Sequence, residues 1–160
     1  MKSDPIFHEA DISSLIDLDE QNFEIQTREI FKKLSSGHKI VLLTITRLVE
    51  TAKEKTLVML DEPESHLHPP LLSAFIRSLS ELLILRNGVA IIATHSPVIL
   101  QEVPRSCAWI LNRSGISTKA ERPERETFGE NVGTLTQDIF GLEVTNAGFY
   151  NLLKASVNEN

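Results

Sequence analysis

The chain has 160 residues, 41% hydrophobic and 24% charged, which fits one domain or slightly more with a sizeable core and is the balance of a soluble globular protein. A net charge of −6 gives the surface as a whole no attraction for nucleic acid, leaving only a local basic patch for that role. The single cysteine, Cys107, excludes an internal disulfide and fits a reducing cytoplasm. Met1-Lys2-Ser3-Asp4-Pro5 lacks the apolar core of a signal peptide, and no apolar run approaches the roughly 20 residues that span a bilayer.

Residues 1–22 are mixed and acidic, an opening segment with one short strand or helix. Phe23, Ile25, Ile30, Phe31 and Leu34 share a face and predict a helix over 23–33. Leu34-Ser35-Ser36-Gly37-His38-Lys39 breaks that pattern. Ile40 to Val49 is apolar almost all round, which predicts a deeply buried helix, with a polar turn from Thr51 to Lys55. Leu57-Val58-Met59-Leu60 is a continuous apolar run, predicting a strand buried on both faces of a parallel sheet. It runs into Asp61-Glu62-Pro63, where proline can donate no ladder hydrogen bond and the strand must stop.

Pro69 and Pro70 open a helix at the position where a missing amide donor costs little. Leu71, Leu72, Phe75, Ile76, Leu79, Leu82 and Leu83 keep helical spacing, and Asn87-Gly88 ends the element. Val89 to Ala93 is a second buried strand, leading into Thr94-His95-Ser96-Pro97 and a short helix to about Glu102. Cys107 to Leu111 is a third strand, its thiol buried and structural. A turn at Asn112–Gly115 leads to a return strand at Ile116–Lys119 and an exposed charged loop at Glu121–Glu126. Short helices follow at Thr134–Phe140 and Ala147–Ala155. The alternation of helix and strand predicts an α/β fold with a parallel sheet.

The chemistry concentrates in three places. Ser35-Ser36-Gly37-His38, at the amino end of a helix, leaves backbone amides facing a phosphate, or else forms a plain N-cap. Asp61 and Glu62 stand at the carboxyl end of a strand, where open α/β sheets bind their ligands. Such a pair suits a magnesium-nucleotide site, with one acid near the metal and the other orienting a water. His95 follows the next strand, either as a structural residue or within reach of the same ligand.

Those residues, in that order, resemble the ABC-type ATPases over roughly residues 30–105. Leu34 to Lys39 resembles their signature, Leu57 to Glu62 their Walker B strand with its glutamate, and His95 their switch histidine. The wording Asp61-Glu62-Pro63-Glu64-Ser65-His66-Leu67-His68-Pro69 is closer to soluble members of the OLD, SMC and DNA-repair kind than to transporters. Phe128 to Leu153 is more loosely similar to defence ATPases of the Septu and retron-associated type. The resemblance implies a P-loop NTPase fold using ATP and Mg2+. Asp61 would hold the magnesium through its water shell, Glu62 would polarise the attacking water, and His95 would contact the γ-phosphate. Ser35, Ser36, Gly37 and His38 would meet a nucleotide held mainly by a partner protomer, with Ser65 at the dimer interface. His38 departs from the glutamine usual in the signature.

None of the seven glycines is followed by lysine, so the phosphate cradle G-x-x-x-x-G-K-[ST], the Walker A segment, is absent from this sequence. The reading is therefore the carboxyl-terminal part of an ABC-type ATPase: an opening segment and helix over 1–33, the ATPase part over 34–120, and a charged loop and helices over 121–160. Its implied partners are a second copy or a Walker A-bearing chain, with DNA or a nuclease as a further partner and no membrane. Hydrolysis depends on complementation by the cradle. The rival reading is a catalytically inactive module that pairs with another subunit. A third, zinc held by His66, His68, His95 and Asp61, rests on two histidines one residue apart.

Overall fold

The computed structural model describes Leu15 and residues 19–145, in two compact units divided in the chain between His95 and Ser96. The first residues of the opening segment and the helix expected at Ala147–Ala155 lie outside the described residues.

The first unit begins with α1 (Glu20–Lys33), capped by Asp19, whose carboxylate accepts from the Asn22 amide. Glu20 in its first turn and Lys32 and Lys33 in its last complement the helix dipole. The expected apolar face is only half covered, because Phe23 and Ile25 stand exposed. Helix α2 (Ser36–Thr51) follows after the buried Leu34. It is not the deeply buried helix its composition predicts. Gly37, His38 and Val41 are buried, while Ile40, Leu43 and Val49 face out.

Strands β1 (Leu57–Asp61) and β2 (Val89–Ala93) pair in parallel, Leu57 opposite Val89 and Asp61 opposite Ala93. The connection between them is α3 (Pro69–Leu85), the most apolar helix of the unit and the main source of its core. His68 caps it, its Nδ1 accepting from the Leu71 amide. Val58 packs with Leu79 and Leu83 of α3, and Leu48, Leu60, Ala90 and Ile92 close around them. Each fully buried leucine in such a layer contributes about 1.5–3 kcal/mol.

Helix α3 ends in two hydrogen bonds that fold the chain back on itself: the Asn87 amide to the Ile84 carbonyl and the Gly88 amide to the Leu83 carbonyl. Asn87 takes the left-handed conformation this ending requires, at φ 49°. Gly88 then passes so close to the start of β1 that a Cβ there would stand 2.8 Å from the Thr56 carbonyl oxygen.

The expectation of strands buried on both faces holds for one face only. Side chains alternate along a strand. Val58, Leu60, Ala90 and Ile92 turn toward the helices, while Leu57, Met59, Val89 and Ile91 form an exposed apolar face with Met59 72% accessible.

In the second unit, α4 (Pro97–Gln101) packs on α5 (Val132–Thr145). The strand expected at Cys107–Leu111 is displaced: Arg105–Cys107 is a 3-10 turn, and Cys107 is exposed rather than buried. The neighbouring Ala108, which follows that turn, is buried instead. Strand β3 (Ile110–Ser114) pairs antiparallel with β4 (Ser117–Glu121) in a hairpin of its own, so it is no third member of the parallel sheet. Gly115, at φ 61°, forms the tight turn between them. The loop after β4 is pinned more firmly than its charge predicts. Pro123 and Thr127 are buried, and Thr127 Oγ1 donates to the Val103 carbonyl at 2.5 Å.

Candidate functional site

Parallel pairing brings the carboxyl ends of β1 and β2 side by side, and the candidate residues gather there. The ladder runs one residue beyond β1, since the Glu62 amide donates to the Ala93 carbonyl at 2.9 Å. Glu62 itself sits at φ 44°, a left-handed conformation that costs a non-glycine residue about 1–3 kcal/mol and that collects at functional sites. The twist turns its carboxylate toward His95. Glu62 Oε1 lies 3.6 Å from His95 Nε2, within charge contact and just beyond hydrogen-bond length. Both side chains are open to solvent, His95 70% and Glu62 57% exposed. Asp61, the residue before, is exposed at the last position of β1.

Glu64 ties this end of the sheet together, a role the sequence reading did not assign it. Its Oε1 accepts from Thr94 Oγ1 at 2.7 Å and from the His95 amide at 2.8 Å. Its Oε2 is buried with no hydrogen-bond partner among the described residues. The only hint in the sequence is that Glu64 follows a proline one step past the acid pair.

The turn from Glu62 to His68 then leads back to α2. Ser65 N–H donates to the Glu62 carbonyl and Leu67 N–H to the Glu64 carbonyl, with His66 at φ 71°. The His66 carbonyl lies against Gly37, where a Cβ would come within 3.0 Å of it. Glycine at position 37 therefore lets α2 approach this turn. Ser35 is the N-cap of α2, its Oγ accepting from the His38 amide and sharing a 2.5 Å hydrogen bond with His38 Nδ1. His38 is 1% exposed, and its ring meets that of His68 edge-on at 5.7 Å between centroids. Ser36 and Ser65 are exposed.

The first unit thus holds two groupings on either side of the 62–68 turn. Asp61, Glu62, Glu64, Thr94 and His95 form one, and Ser35, Gly37 and His38 with His66 and His68 form the other. The zinc reading finds no support here: among the described residues no three His, Cys, Asp or Glu side chains are placed to hold a metal. His66 and His68 are drawn toward α2, whereas His95 faces Glu62. No helix among the described residues is long and apolar enough to cross a membrane.

Comparison with known proteins agrees with this architecture. The chain is 64% identical to Protein ea59 of Escherichia phage lambda over 126 residues, covering 79% of this chain and 24% of that protein. It therefore spans about a quarter of the length of this relative. Residues 5–101 match the family described as "AAA domain, putative AbiEii toxin, Type IV TA system". That match runs through both paired strands and takes in Asp61, Glu62 and His95. Because it covers more than half of the sequence, this chain belongs to that AAA-domain family, a family of P-loop ATPase-like proteins.

Proposed function

We propose that this chain supplies the water-activating side of an ATP-hydrolysing site, as the carboxyl-terminal part of an ABC-type ATPase. The observation that carries this reading is the approach of Glu62 and His95 to 3.6 Å at the ends of two paired parallel strands, with Asp61 beside them. The donor set fits a hard divalent cation that keeps most of its water, because it offers an exposed carboxylate rather than a full protein cage. Mg2+, when bound with ATP, would neutralise charge on the phosphates.

Asp61 would take the metal's water shell, Glu62 would accept a proton from the attacking water, and His95 would donate to the γ-phosphate. Ser35, Ser36, Gly37 and His38 would face a nucleotide held by a second protomer, with Ser65 at that interface. The G-x-x-x-x-G-K-[ST] cradle that grips the phosphates does not occur in this sequence, so the grip must come from other polypeptide. By itself the chain should hydrolyse ATP poorly. Work on DNA or in anti-phage defence is the role we favour for the assembled ATPase.

The test is to complement the chain with a cradle-bearing half and measure ATP turnover. Glu62→Gln, which keeps the shape and removes the base, should lower kcat by about 100-fold or more. Turnover at the unmutated rate would overturn the assignment of Glu62.

A second reading, an inactive module that docks on another subunit, draws on the exposed apolar sheet face of Leu57, Met59, Val89 and Ile91. It expects partner binding that is indifferent to ATP and to Glu62→Gln.

A further inference from the structure

The acid and the histidine of the proposed site stand on different strands, and something must set the distance between them. The ladder between β1 and β2 ends at the hydrogen bond from the Glu62 amide to the Ala93 carbonyl. Beyond it the backbone of β2 would be free to splay away from β1. Instead, the Glu64 carboxylate reaches across from the turn after β1. It takes the His95 amide on the same oxygen that accepts from Thr94 Oγ1, at 2.8 and 2.7 Å. This bond holds the peptide nitrogen of the residue whose ring faces Glu62.

The other oxygen, Oε2, is buried with no donor among the described residues.

We propose that Glu64 is a positioning residue. Its Oε1 fixes the His95 backbone so that the imidazole stands beside the Glu62 carboxylate, and it thereby sets the spacing of the water-activating acid and the phosphate-side histidine. The proposal rests on the reading of Glu62 and His95 given above. Glu64 needs no contact with nucleotide, metal or water to act in this way. What it supplies is a charge-strengthened acceptor for an amide that has left the sheet.

Two measurements test it. In the chain complemented with a cradle-bearing half, Glu64→Ala should lower kcat about tenfold or more while leaving KM for ATP within about threefold. Glu64→Gln, which retains an acceptor oxygen on the same arm, should restore kcat to within about threefold. Combined with His95→Ala, Glu64→Ala should cost nothing further, because residues acting as one unit are not additive. A double variant that falls by the product of the two single losses would overturn the proposal, as would a Glu64→Ala enzyme with unchanged kcat.

The second measurement needs no ATP: amide hydrogen exchange at His95, followed by NMR on the chain itself. Glu64→Ala should speed it about tenfold or more, with Glu64→Gln close to the unmutated rate. If Glu64→Ala fails to fold, Glu64→Asp, whose shorter arm cannot span to the His95 amide, takes its place with the same expectation. Should Glu62→Gln hydrolyse ATP normally, the reading of the site falls. The exchange result then decides the tie separately, with unchanged protection at His95 overturning it and faster exchange supporting it.

Discussion

Glu126 shows how one side chain can organise a loop. Its Oε1 accepts the amides of Arg105, Thr127 and Phe128, drawing the segment after β4 onto the 3-10 turn at Arg105–Cys107. The Arg105 and Phe128 amides, with the Arg105 charge adding to them, hold the carboxyl below its ordinary 4.5. A group whose folded pKa lies below its unfolded value adds stability above the unfolded value, and that stability is lost as pH falls through the folded one. The second unit should therefore loosen as pH drops below about 4.5, with part of that loss due to Glu126. In Glu126→Gln the stability should be lower at neutral pH and flatter across the acid range, as thermal unfolding at a series of pH values would reveal. Nothing in the charged run Glu121–Glu126 marks this residue, because the Arg105 amide comes from backbone 21 residues away that only the fold brings near.

At the scale of the element, α3 was legible in full from the sequence, whereas β1 and β2 were legible in position but not in environment. Its start at Pro69, its buried leucines at three-to-four spacing and its stop at Asn87-Gly88 are all local properties, and the fold keeps every one. The ending makes a sharp prediction. Gly88→Ala would place a methyl 2.8 Å from the Thr56 carbonyl and 2.9 Å from Leu83 Cδ2, so either the ending of α3 or the start of β1 must shift. We expect a loss of about 1–3 kcal/mol in denaturant unfolding. Asn87→Gly, which eases a left-handed backbone, should be neutral or mildly stabilising in the same assay. Strand burial is different, because an apolar run records that a strand can be covered and not whether a layer is present to cover it. Composition erred in the same way for α2, whose outward residues Ile40, Leu43 and Val49 are as apolar as its inward ones. Of the candidate site, the Asp61-Glu62 pair and His95 could be read from their places after apolar runs. Glu64 could not, since its two hydrogen bonds span about 30 residues of sequence.

For the molecule as a whole, the consequence is a parallel sheet of two strands with one apolar face uncovered among the described residues. Leu57, Met59, Val89 and Ile91 are each more than half exposed and lie in register, Leu57 beside Val89 and Met59 beside Ile91. Parallel sheets in folded proteins are covered on both sides, and an exposed apolar patch of this kind drives association. The isolated chain should therefore bind a hydrophobic dye and self-associate at micromolar concentration, as light scattering after size exclusion would detect. Met59→Lys with Ile91→Glu should reduce both, with little change in unfolding temperature because neither side chain contributes to the buried layer. If the double variant associates as strongly as the unmutated chain, the contact lies elsewhere.

The left-handed backbone at Glu62 and His66 has a bearing on which substitutions survive. With φ at 44° and 71°, these two positions bracket the turn, and β-branched residues fit such a conformation badly. A saturation library sorted first for folding should accept glycine, asparagine and aspartate at both positions and reject valine and isoleucine. Sorted for ATP turnover, position 66 should keep its tolerance while position 62 narrows to glutamate. The gap between the two sorts at position 62 would separate what the backbone demands from what the chemistry demands.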